Sequence, residues 1–433
     1  MADIFDKCKG DGGYFGAFRH MGENELTRPI MEPLAGKRMM HNGEEHIMWS
    51  VNNYIGLANN DEIRKAAADA VEEFSTCNPM GSRMMSGNTP YHLALEKRLA
   101  EFSQKEAAFL FNFGYMAVLG IVSSLAGMGD TVVVDKLAHA SILDAAGMAK
   151  AAGATLRYFK HNDAKDLDKV LESVNKTNPD GGVLVLTEGV YGMTGDLADL
   201  RGICEVKDKW GARLFIDDAH GLGVMGEKGR GAADYFGVQD KIDIYFGTFA
   251  KAFASIGGFC ACDKDVRDWI MFNARTQVFA KSLPMVYVQS LDKTLDLVME
   301  REDLRDKMWE NSKKLQDGLR NEGFAIGPGD SPICSVFCPV GTEAADKVGG
   351  VGASMVAYLR ERKIFVTAVV YPVIPPGLCM FRMIPTAAHT DAEVNETIEA
   401  FKSMSKDLNL TLPCTADDQA KIDKLFRCNP TKA

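Results

Sequence analysis

Alternating apolar and polar stretches along the chain predict an α/β fold. From about Val51 onward, short apolar runs recur that are β-rich or flanked by turn residues, among them Thr131–Asp135, Val183–Thr187, Arg213–Asp217 and Ile242–Phe246. Uninterrupted apolar runs of this length are typical of parallel strands that are covered on both faces. Helical stretches such as Ala140–Ala152 lie between them. The pattern therefore predicts a mostly parallel central sheet with right-handed helical crossovers.

The same pattern divides the chain into three predicted regions. Residues 1–55 are mixed in character and are predicted to form an N-terminal arm, while residues 56–305 carry the strand and helix alternation of a large domain. A long charged helix over Leu291–Glu322 is predicted to lead into residues 306–433, a smaller C-terminal α+β domain whose strands include Ile364–Val370. A chain of 433 residues is long enough to give such domains full hydrophobic cores.

Composition narrows the class of protein. The net charge of −10 argues against a nucleic-acid binder, which would carry a basic face. No stretch has the length and apolarity of a membrane span or a signal peptide. The ten cysteines are scattered without paired CxxC motifs, so we expect no structural metal, reduced thiols and a cytoplasmic protein.

Candidate catalytic residues fall where the predicted parallel strands end, which is where open α/β sheets bind ligands. Asp217 ends one strand and His220 follows it, Lys251 follows IDIYFGT, and His139 follows TVVVD. Each residue alone also suits an ordinary structural role, as a helix cap, a buried histidine or a solvated lysine. Together they suit an aldehyde cofactor, because a lysine can hold the aldehyde as a Schiff base and a carboxylate can keep a pyridine nitrogen protonated.

A phosphate site is predicted beside these residues. Gly114 and Tyr115 precede the apolar helical stretch MAVLGIVSSLA, and the backbone N–H groups at a helix start bind phosphate. The hydroxyl group of Thr248 can add a hydrogen bond. A phosphorylated pyridine aldehyde is therefore the cofactor that the pattern favours.

Longer motifs around these residues resemble a known family. The stretches IDDAHGLGVMGEKGRG and GTFAKAFASIGGF resemble the α-oxoamine synthases, which are fold-type I pyridoxal-phosphate (PLP) enzymes. The resemblance covers roughly residues 50–400 and includes NNYIGL, GSRMMSGNTPYHLALE, NFGYMAV, DKLAHASI, TEGVYGMTGD, VIPP and FRMIPTAAHT. DKLAHASI, HGLGVMGEKGRG, ASIGGF and VIPP are most similar to bacterial serine palmitoyltransferases. The resemblance implies a fold-type I PLP-dependent transferase whose large domain binds the cofactor.

The resemblance also implies roles for four catalytic residues. Lys251 would form the Schiff base with the cofactor and later transfer the substrate proton. Asp217 would pair with the pyridinium nitrogen, and His220 would hydrogen-bond the ring hydroxyl. His139 would stack on the ring face and polarise the carbonyl group of the incoming acyl chain.

Further residues are implied for binding. Gly114, Tyr115 and Thr248 would hold the phosphate, Arg382 would bind the substrate carboxylate, and Asn53 would line the same pocket.

Several positions depart from the family pattern. Ala250 and Gly192 stand where serine is usual, Ala280 stands where a hydroxyl residue reaches the neighbouring subunit's phosphate, and TCNPMGSR replaces a glycine-rich stretch. Each lost hydroxyl group would weaken the phosphate site by ~1 kcal/mol. Two interpretations stay open for the adjacent Lys281: a point charge that compensates at the phosphate, or a solvated side chain.

The implied reaction is a decarboxylative condensation of a long-chain fatty acyl thioester with a small amino acid, giving a 3-keto amine. Serine, the substrate of the sphingolipid branch, is the default amino acid. Lys281, Asn78, Ser82 or Arg83 could bind a second anionic group of the substrate, such as the sulfonate of cysteate. The first hypothesis is therefore L-cysteate, which leads to 3-ketocapnine and sulfonolipids, with Ser82 as a further substrate-binding candidate.

Other functions stay open. Glycine C-acetyltransferase and 8-amino-7-oxononanoate synthase, which are other α-oxoamine synthases, differ in amino acid and acyl length. An inactive regulatory paralogue is the non-enzyme alternative, but such a protein would have lost the catalytic lysine that Lys251 supplies here. The family forms homodimers with shared active sites. Coenzyme A and an acyl carrier protein both remain possible acyl carriers, and peripheral membrane association is left open.

Overall fold

The computed structural model describes residues 3–13, 15–16, 19, 27–32, 36–338, 351–370, 373–374 and 378–426. The chain divides into two compact units. The first unit comprises Met1–Val51, Met193–Gly195 and Lys307–Leu425, and the second unit comprises Asn52–Gly192, Asp196–Asp306 and the segment from Phe426.

Strands and helices alternate over most of the described chain. The strands are β1 (Arg38–His41), β2 (Glu44–Met48), β3 (Ala107–Phe111), β4 (Thr131–Asp135), β5 (Thr155–Phe159), β6 (Val183–Glu188), β7 (Arg213–Asp217), β8 (Ile244–Thr248), β9 (Gly258–Cys262), β10 (Ala325–Ile326), β11 (Cys334–Phe337), β12 (Ile364–Phe365), β13 (Ala368–Val369) and β14 (Met380–Met383). The helices are α1 (Asp61–Phe74), α2 (Pro90–Phe102), α3 (Gly114–Leu125), α4 (Ala140–Ala151), α5 (Ala164–Thr177), α6 (Leu200–Trp210), α7 (Ala232–Tyr235), α8 (Lys264–Asn273), α9 (Arg275–Val278), α10 (Met285–Glu300), α11 (Glu302–Asn321), α12 (Val351–Glu361), α13 (Asp391–Asp407) and α14 (Ala416–Asp423).

A seven-stranded sheet organises the second unit, in the order β3-β9-β8-β7-β6-β4-β5. Every strand runs parallel to its neighbours except β9, which pairs antiparallel with β3 and β8. All residues of β4 and β8 are buried, as expected for strands covered on both faces. The predicted α/β architecture with a mostly parallel sheet is confirmed.

Local sequence signals set the helix starts in both units. The Oγ1 atom of Thr89 accepts the His92 N–H and Pro90 occupies the first turn, so α2 begins where a cap and a proline favour it. Helix α13 begins with a reciprocal capping box between Thr390 and Glu393.

The first unit has two smaller sheets and a core of its own. The sheets have the orders β1-β2-β12 and β10-β11-β14-β13. Trp49 is fully buried, stacks on His389 with ring centroids 4.1 Å apart, and donates its indole N–H to the Oγ1 atom of Thr397 at 3.1 Å.

Two predicted elements are divided in the structure. The predicted helix Leu291–Glu322 is the end of α10 followed by α11, because Arg301 leaves the helical conformation at φ −96° and ψ 64° and binds Asp303. The predicted strand Ile364–Val370 is two short strands, β12 and β13, that belong to different sheets. No helix in the described ranges is long and apolar enough to cross a bilayer.

Candidate active site

A cavity of about 160 Å³ lies in the second unit where β4, β6, β7 and β8 end. Its lining contains all four predicted catalytic residues. It also contains the three residues that are predicted to bind the phosphate of the cofactor in the same subunit. The residues around it are Gly114, Tyr115, His139, Ser141, Glu188, Asp217, Ala219, His220, Phe246, Thr248, Ala250 and Lys251. The mostly parallel sheet therefore brings together residues that lie as much as 137 positions apart, from Gly114 to Lys251.

Asp217 is the last residue of β7 and is only 4% exposed. Its Oδ1 atom accepts the Ala219 N–H at 3.0 Å. Burial raises the pKa of the Asp217 carboxyl group, while the charges of Lys251 and His139 act in the opposite direction. A buried carboxylate of this kind is stabilised by a cation, and a protonated pyridine nitrogen supplies one.

Lys251 sits in a tight turn between β8 and β9. The Oγ1 atom of Thr248 donates to the Gly257 carbonyl at 3.0 Å, and the Lys251 carbonyl accepts the Ala254 N–H at 2.9 Å. Gly257 has φ +104°, and a Cβ atom there would lie 2.8 Å from the carbonyl oxygen of Phe111. The turn therefore requires glycine at this position, and its hydrogen bonds hold the backbone that carries the lysine.

His139 occupies the N-cap position of α4. Its Nδ1 atom accepts the Ser141 N–H at 3.2 Å and lies 2.7 Å from the Oγ atom of Ser141. The backbone N–H of His139 donates to the Oε1 atom of Glu188 at 2.7 Å. These contacts hold the His139 ring at the N-terminus of α4, where it lines the cavity.

The position of the His220 ring explains why residue 192 is a glycine. The Nδ1 atom of His220 lies 2.8 Å from the Tyr54 hydroxyl oxygen. A Cβ atom built on Gly192 would lie 2.2 Å from the Nε2 atom of His220. The imidazole therefore occupies the volume that a side chain at position 192 would need.

The start of α3 forms a cradle beside Lys251. A Cβ atom on Gly114 would lie 2.7 Å from the Oγ1 atom of Thr248, so glycine allows the helix start and the hydroxyl group to approach each other. Phe113 is the N-cap residue and offers no side-chain hydrogen bond to the first N–H groups of the helix. Such N–H groups bind phosphate, and the residues present thus fit a phosphorylated pyridine aldehyde.

Other predicted site residues lie elsewhere. Among the described residues, Asn53, Ser82 and Lys281 are outside the lining of this cavity. The Asn53 Oδ1 atom accepts the Ala58 N–H at 3.1 Å, and the Nζ atom of Lys281 lies 3.0 Å from the Met80 sulfur. The carbonyl oxygen of Ser82 accepts two backbone N–H groups of the following turn.

Arg382, the predicted carboxylate-binding residue, is in β14 of the first unit. The predicted VIPP loop lies partly outside the described residues.

Arg83 is not supported as a ligand for a second anion. Its side chain is buried and forms a two-pronged ion pair with Glu96, at 2.7 and 3.0 Å, while its guanidinium group lies over the Phe109 ring. A buried pair of this kind is strongly destabilised when one partner is removed. The contacts therefore assign Arg83 a structural role. Asn78 is also engaged, since its amide donates to the Phe74 carbonyl at 2.6 Å.

Glu188, Ser141 and Tyr54 belong to the site or contact it but were not predicted from the sequence. Glu188 ends β6 in register with Asp217 at the end of β7, and both side chains are buried. The signal was present, because an acidic residue directly follows the apolar run VLVLT. Tyr54 lies far from His220 in sequence, and no spacing rule could have paired them.

A mostly parallel sheet with a half-buried lysine, a buried aspartate and a helix-start cradle at its carboxyl edge defines a fold-type I pyridoxal-phosphate enzyme. The model of the aminotransferase class I and II family matches residues 44–401. A cysteate-C-fatty acyltransferase from Capnocytophaga ochracea is 41% identical over 94% of this chain and 96% of that protein. An 8-amino-7-oxononanoate synthase from Thermoanaerobacter pseudethanolicus is 34% identical over 88% of this chain and 93% of that protein.

Solved structures agree with these matches. A serine palmitoyltransferase from S. paucimobilis with a bound PLP-myriocin aldimine has a TM-score of 0.84 and 29% identity, covering 94% of this chain and all of that chain. The chain belongs to the aminotransferase class I and II family and is a PLP-dependent acyltransferase of the α-oxoamine synthase group. The family resemblance, the fold-type I architecture and the cofactor predicted from the sequence are confirmed.

Proposed function

We propose that the chain condenses a long-chain fatty acyl thioester with L-cysteate and releases CO₂ and the free thiol, giving 3-ketocapnine, a 3-keto amine of sulfonolipid synthesis. The observation that supports this reaction class is the grouping of four side chains around one cavity: Lys251, Asp217, His139 and His220. The 41% identity with a cysteate-C-fatty acyltransferase, over almost the full length of both chains, favours cysteate as the amino acid.

The proposed roles of the cavity residues follow from their positions. When bound, the cofactor supplies an electron sink for the substrate Cα carbanion. Asp217 keeps the ring nitrogen protonated, and His139 packs on the ring and orients the acyl carbonyl. His220 hydrogen-bonds the ring hydroxyl. Lys251 would hold the cofactor aldehyde and, as a free amine during turnover, would remove the Cα proton of the amino acid and return a proton to that carbon after CO₂ has left.

Binding roles are proposed for further residues. The N–H groups at the start of α3, from Gly114 and Tyr115, and the Thr248 hydroxyl hold the phosphate. Arg382 holds the substrate carboxylate until it leaves, with Asn53 and Ser82 as further substrate contacts.

We also propose a homodimer with shared active sites, in which Lys281 reaches the phosphate of the neighbouring subunit. The division into an arm over residues 1–55, a cofactor domain over 56–305 and a small domain over 306–433 is part of the same proposal. A cytoplasmic location is consistent with free cysteines throughout the described residues. The acyl donor is a thioester of coenzyme A or of an acyl carrier protein.

L-Serine is the second candidate substrate, because serine palmitoyltransferases share the fold at 29% to 31% identity. Cysteate differs from serine in carrying a sulfonate in place of the hydroxyl group. A site that binds cysteate therefore needs one more cationic or hydrogen-bonding contact than a site that binds serine.

The test is a panel of cysteate, serine, glycine and alanine with one long-chain acyl thioester, in which thiol release and the cofactor absorbance are followed. We expect cysteate to give the highest kcat/KM and to shift the absorbance. Serine turnover without any cysteate response would overturn the substrate assignment but leave the reaction class. Lys251→Ala should remove both turnover and the lysine-dependent absorbance band, and retained turnover would contradict the reaction class.

A further inference from the structure

Glu188 is a buried acidic residue of the cavity to which the proposed reaction assigns no role. It ends β6, is 5% exposed and lines the cavity. Its register partner on the neighbouring strand is Asp217. A second carboxyl group so close to the one proposed for the pyridine nitrogen requires an explanation, since two buried carboxylates side by side repel each other.

The hydrogen bonds of Glu188 connect the end of β6 to the start of α4. The Oε1 atom accepts the backbone N–H of His139 at 2.7 Å, and the Oε2 atom accepts the N–H of Gly192 at 3.4 Å. The His139 bond is short and joins residues 49 positions apart in the chain. His139 is also the N-cap residue of α4, so this contact, together with those of Ser141, holds the start of the helix beside the cavity.

We propose that Glu188 is a positioning residue that holds the His139 ring in place over the cofactor by accepting the His139 backbone N–H. The inference rests on the proposed function, in which His139 packs on the cofactor ring. Glu188 itself need not touch the substrate or transfer a proton. Its side chain acts as a hydrogen-bond acceptor for the backbone at the start of α4.

The charge state of Glu188 suits this role. Burial, and then the negative charge of Asp217, raise the pKa of the Glu188 carboxyl group well above its usual range, against the charge of Lys251 and the His139 hydrogen bond. Asp135 adds to the upward shift. The upward shift favours the neutral form of Glu188, which would lower its repulsion of Asp217. It also means that an amide, which keeps the acceptor oxygen, can take its place.

The experiment compares Glu188→Met with Glu188→Gln in the holoenzyme. Methionine keeps the volume and removes the acceptor, whereas glutamine keeps the acceptor. We expect Glu188→Met to lower kcat roughly tenfold or more, because a misplaced catalytic group slows the reaction far more than it weakens substrate binding. The same variant should change the visible circular dichroism of the bound cofactor. Glu188→Gln should restore most of both. A glutamine variant as impaired as the methionine variant would overturn the proposal.

A double-mutant cycle separates this inference from the proposed function. If Glu188 acts through His139, then Glu188→Met should cause little further loss in a His139→Ala background. Additive losses would overturn the positioning role while leaving the role of His139 intact. A His139→Ala variant with wild-type turnover would instead contradict the proposed function. If Glu188→Met does not fold, Glu188→Leu takes its place, because leucine also lacks the acceptor: lower turnover than Glu188→Gln supports the acceptor role, and equal turnover contradicts it.

Discussion

Gly192 shows how a missing side chain can leave room for a residue with a proposed catalytic role. The His220 ring occupies the space next to Gly192 and lies within hydrogen-bond distance of Tyr54. The departure from serine at this position is therefore coupled to the placement of His220. From the sequence alone, the same glycine indicated only a lost hydroxyl group.

Restoring the serine should weaken the site. In Gly192→Ser, the new Cβ atom would clash with the imidazole, so His220 must move and lose its contact with Tyr54. We expect the dissociation constant for pyridoxal phosphate to rise about tenfold, since one contact of ~1.4 kcal/mol corresponds to that factor. Titration of the apoenzyme, followed by cofactor absorbance, measures the change.

Ala250→Ser is the matched control for this change. It adds a hydroxyl group but no new Cβ atom, at an exposed residue that lines the cavity. We expect unchanged or tighter cofactor binding there. Tighter binding by Gly192→Ser itself would contradict the steric explanation.

The sequence predicted which residues gather at the site better than it predicted their surroundings. Lys251, Asp217 and His139 each follow a recognisable apolar strand, and the topology of a parallel sheet brings such positions together. The contacts of Arg83 could not be predicted, because its partner Glu96 and the Phe109 ring lie on other elements, where no local spacing reveals them. The chemistry of a strand end is thus predictable, whereas the contacts of a buried charge require the fold.

At the scale of elements, an ionic network joins the loops that follow β4, β5 and β6. The imidazole of His161 lies between Asp135 at 3.0 Å and Asp196 at 2.9 Å, and the Tyr191 hydroxyl group donates to Asp135 at 2.8 Å. Burial lowers the pKa of His161, but the hydrogen bonds that its ring N–H groups donate to the two carboxylates, together with their charge, outweigh burial and raise the pKa to about 10. His161 is therefore a buried cation at neutral pH.

This network predicts a pH dependence of stability. The pKa of His161 in the folded state is above its value of about 6.5 in the unfolded state. The stabilisation that His161 adds to the free energy of unfolding is therefore fully present below about pH 6.5 and is lost as the pH rises through about 10. The difference in the free energy of unfolding between the wild type and His161→Gln should shrink over that window. Urea unfolding at several pH values measures it.

His92 provides the matched control, because burial lowers its pKa to about 4. The contribution of His92 is present above about pH 6.5 and declines as the pH falls through about 4. Above about pH 6.5, the free energies of unfolding of the wild type and of His92→Gln should therefore differ by a constant amount. A His161→Gln difference that stays constant from about pH 6.5 to about 10 would contradict a buried cation at this position.

Helix and strand patterns predicted the central sheet and missed two interruptions. The apolar runs of β4, β6 and β7 have the composition that parallel strands require. The break at Arg301 was invisible, because the helical pattern of α10 continues into α11 and only the backbone conformation separates them. The residues from Ile364 to Val370 form one apolar run in sequence, although the chain there changes from one sheet to another.

At the scale of the whole molecule, an acidic chain is proposed to bind anionic substrates. The net charge of −10 disfavours the approach of a sulfonate or of an acidic acyl carrier. The binding groups must therefore be local. The proposed groups are the N–H dipoles at the start of α3, with Arg382 from the same chain and Lys281 from the partner subunit.

Subunit complementation tests the proposed sharing of sites between two copies of the chain. Lys251→Ala lacks the anchoring lysine, and Lys281→Ala lacks the proposed contact with the neighbouring phosphate, so each homodimer should be impaired. In a mixed dimer, one site combines an intact Lys251 with an intact Lys281. Co-refolding equal amounts should give mixed dimers as about half of the total, each with one complete site, and turnover above the mean of the two parents.

Lys293 supplies the matched control for this experiment. It lies on α10 and its Nζ atom pairs with Glu62 at 2.7 Å, outside the cavity lining. Lys293→Ala should keep normal turnover by itself, and mixing it with Lys251→Ala should give no gain above the mean of the parents. Normal turnover by the Lys281→Ala homodimer would contradict the phosphate contact of Lys281. An impaired Lys281→Ala variant that Lys251→Ala chains cannot rescue would instead place Lys281 in the site of its own subunit.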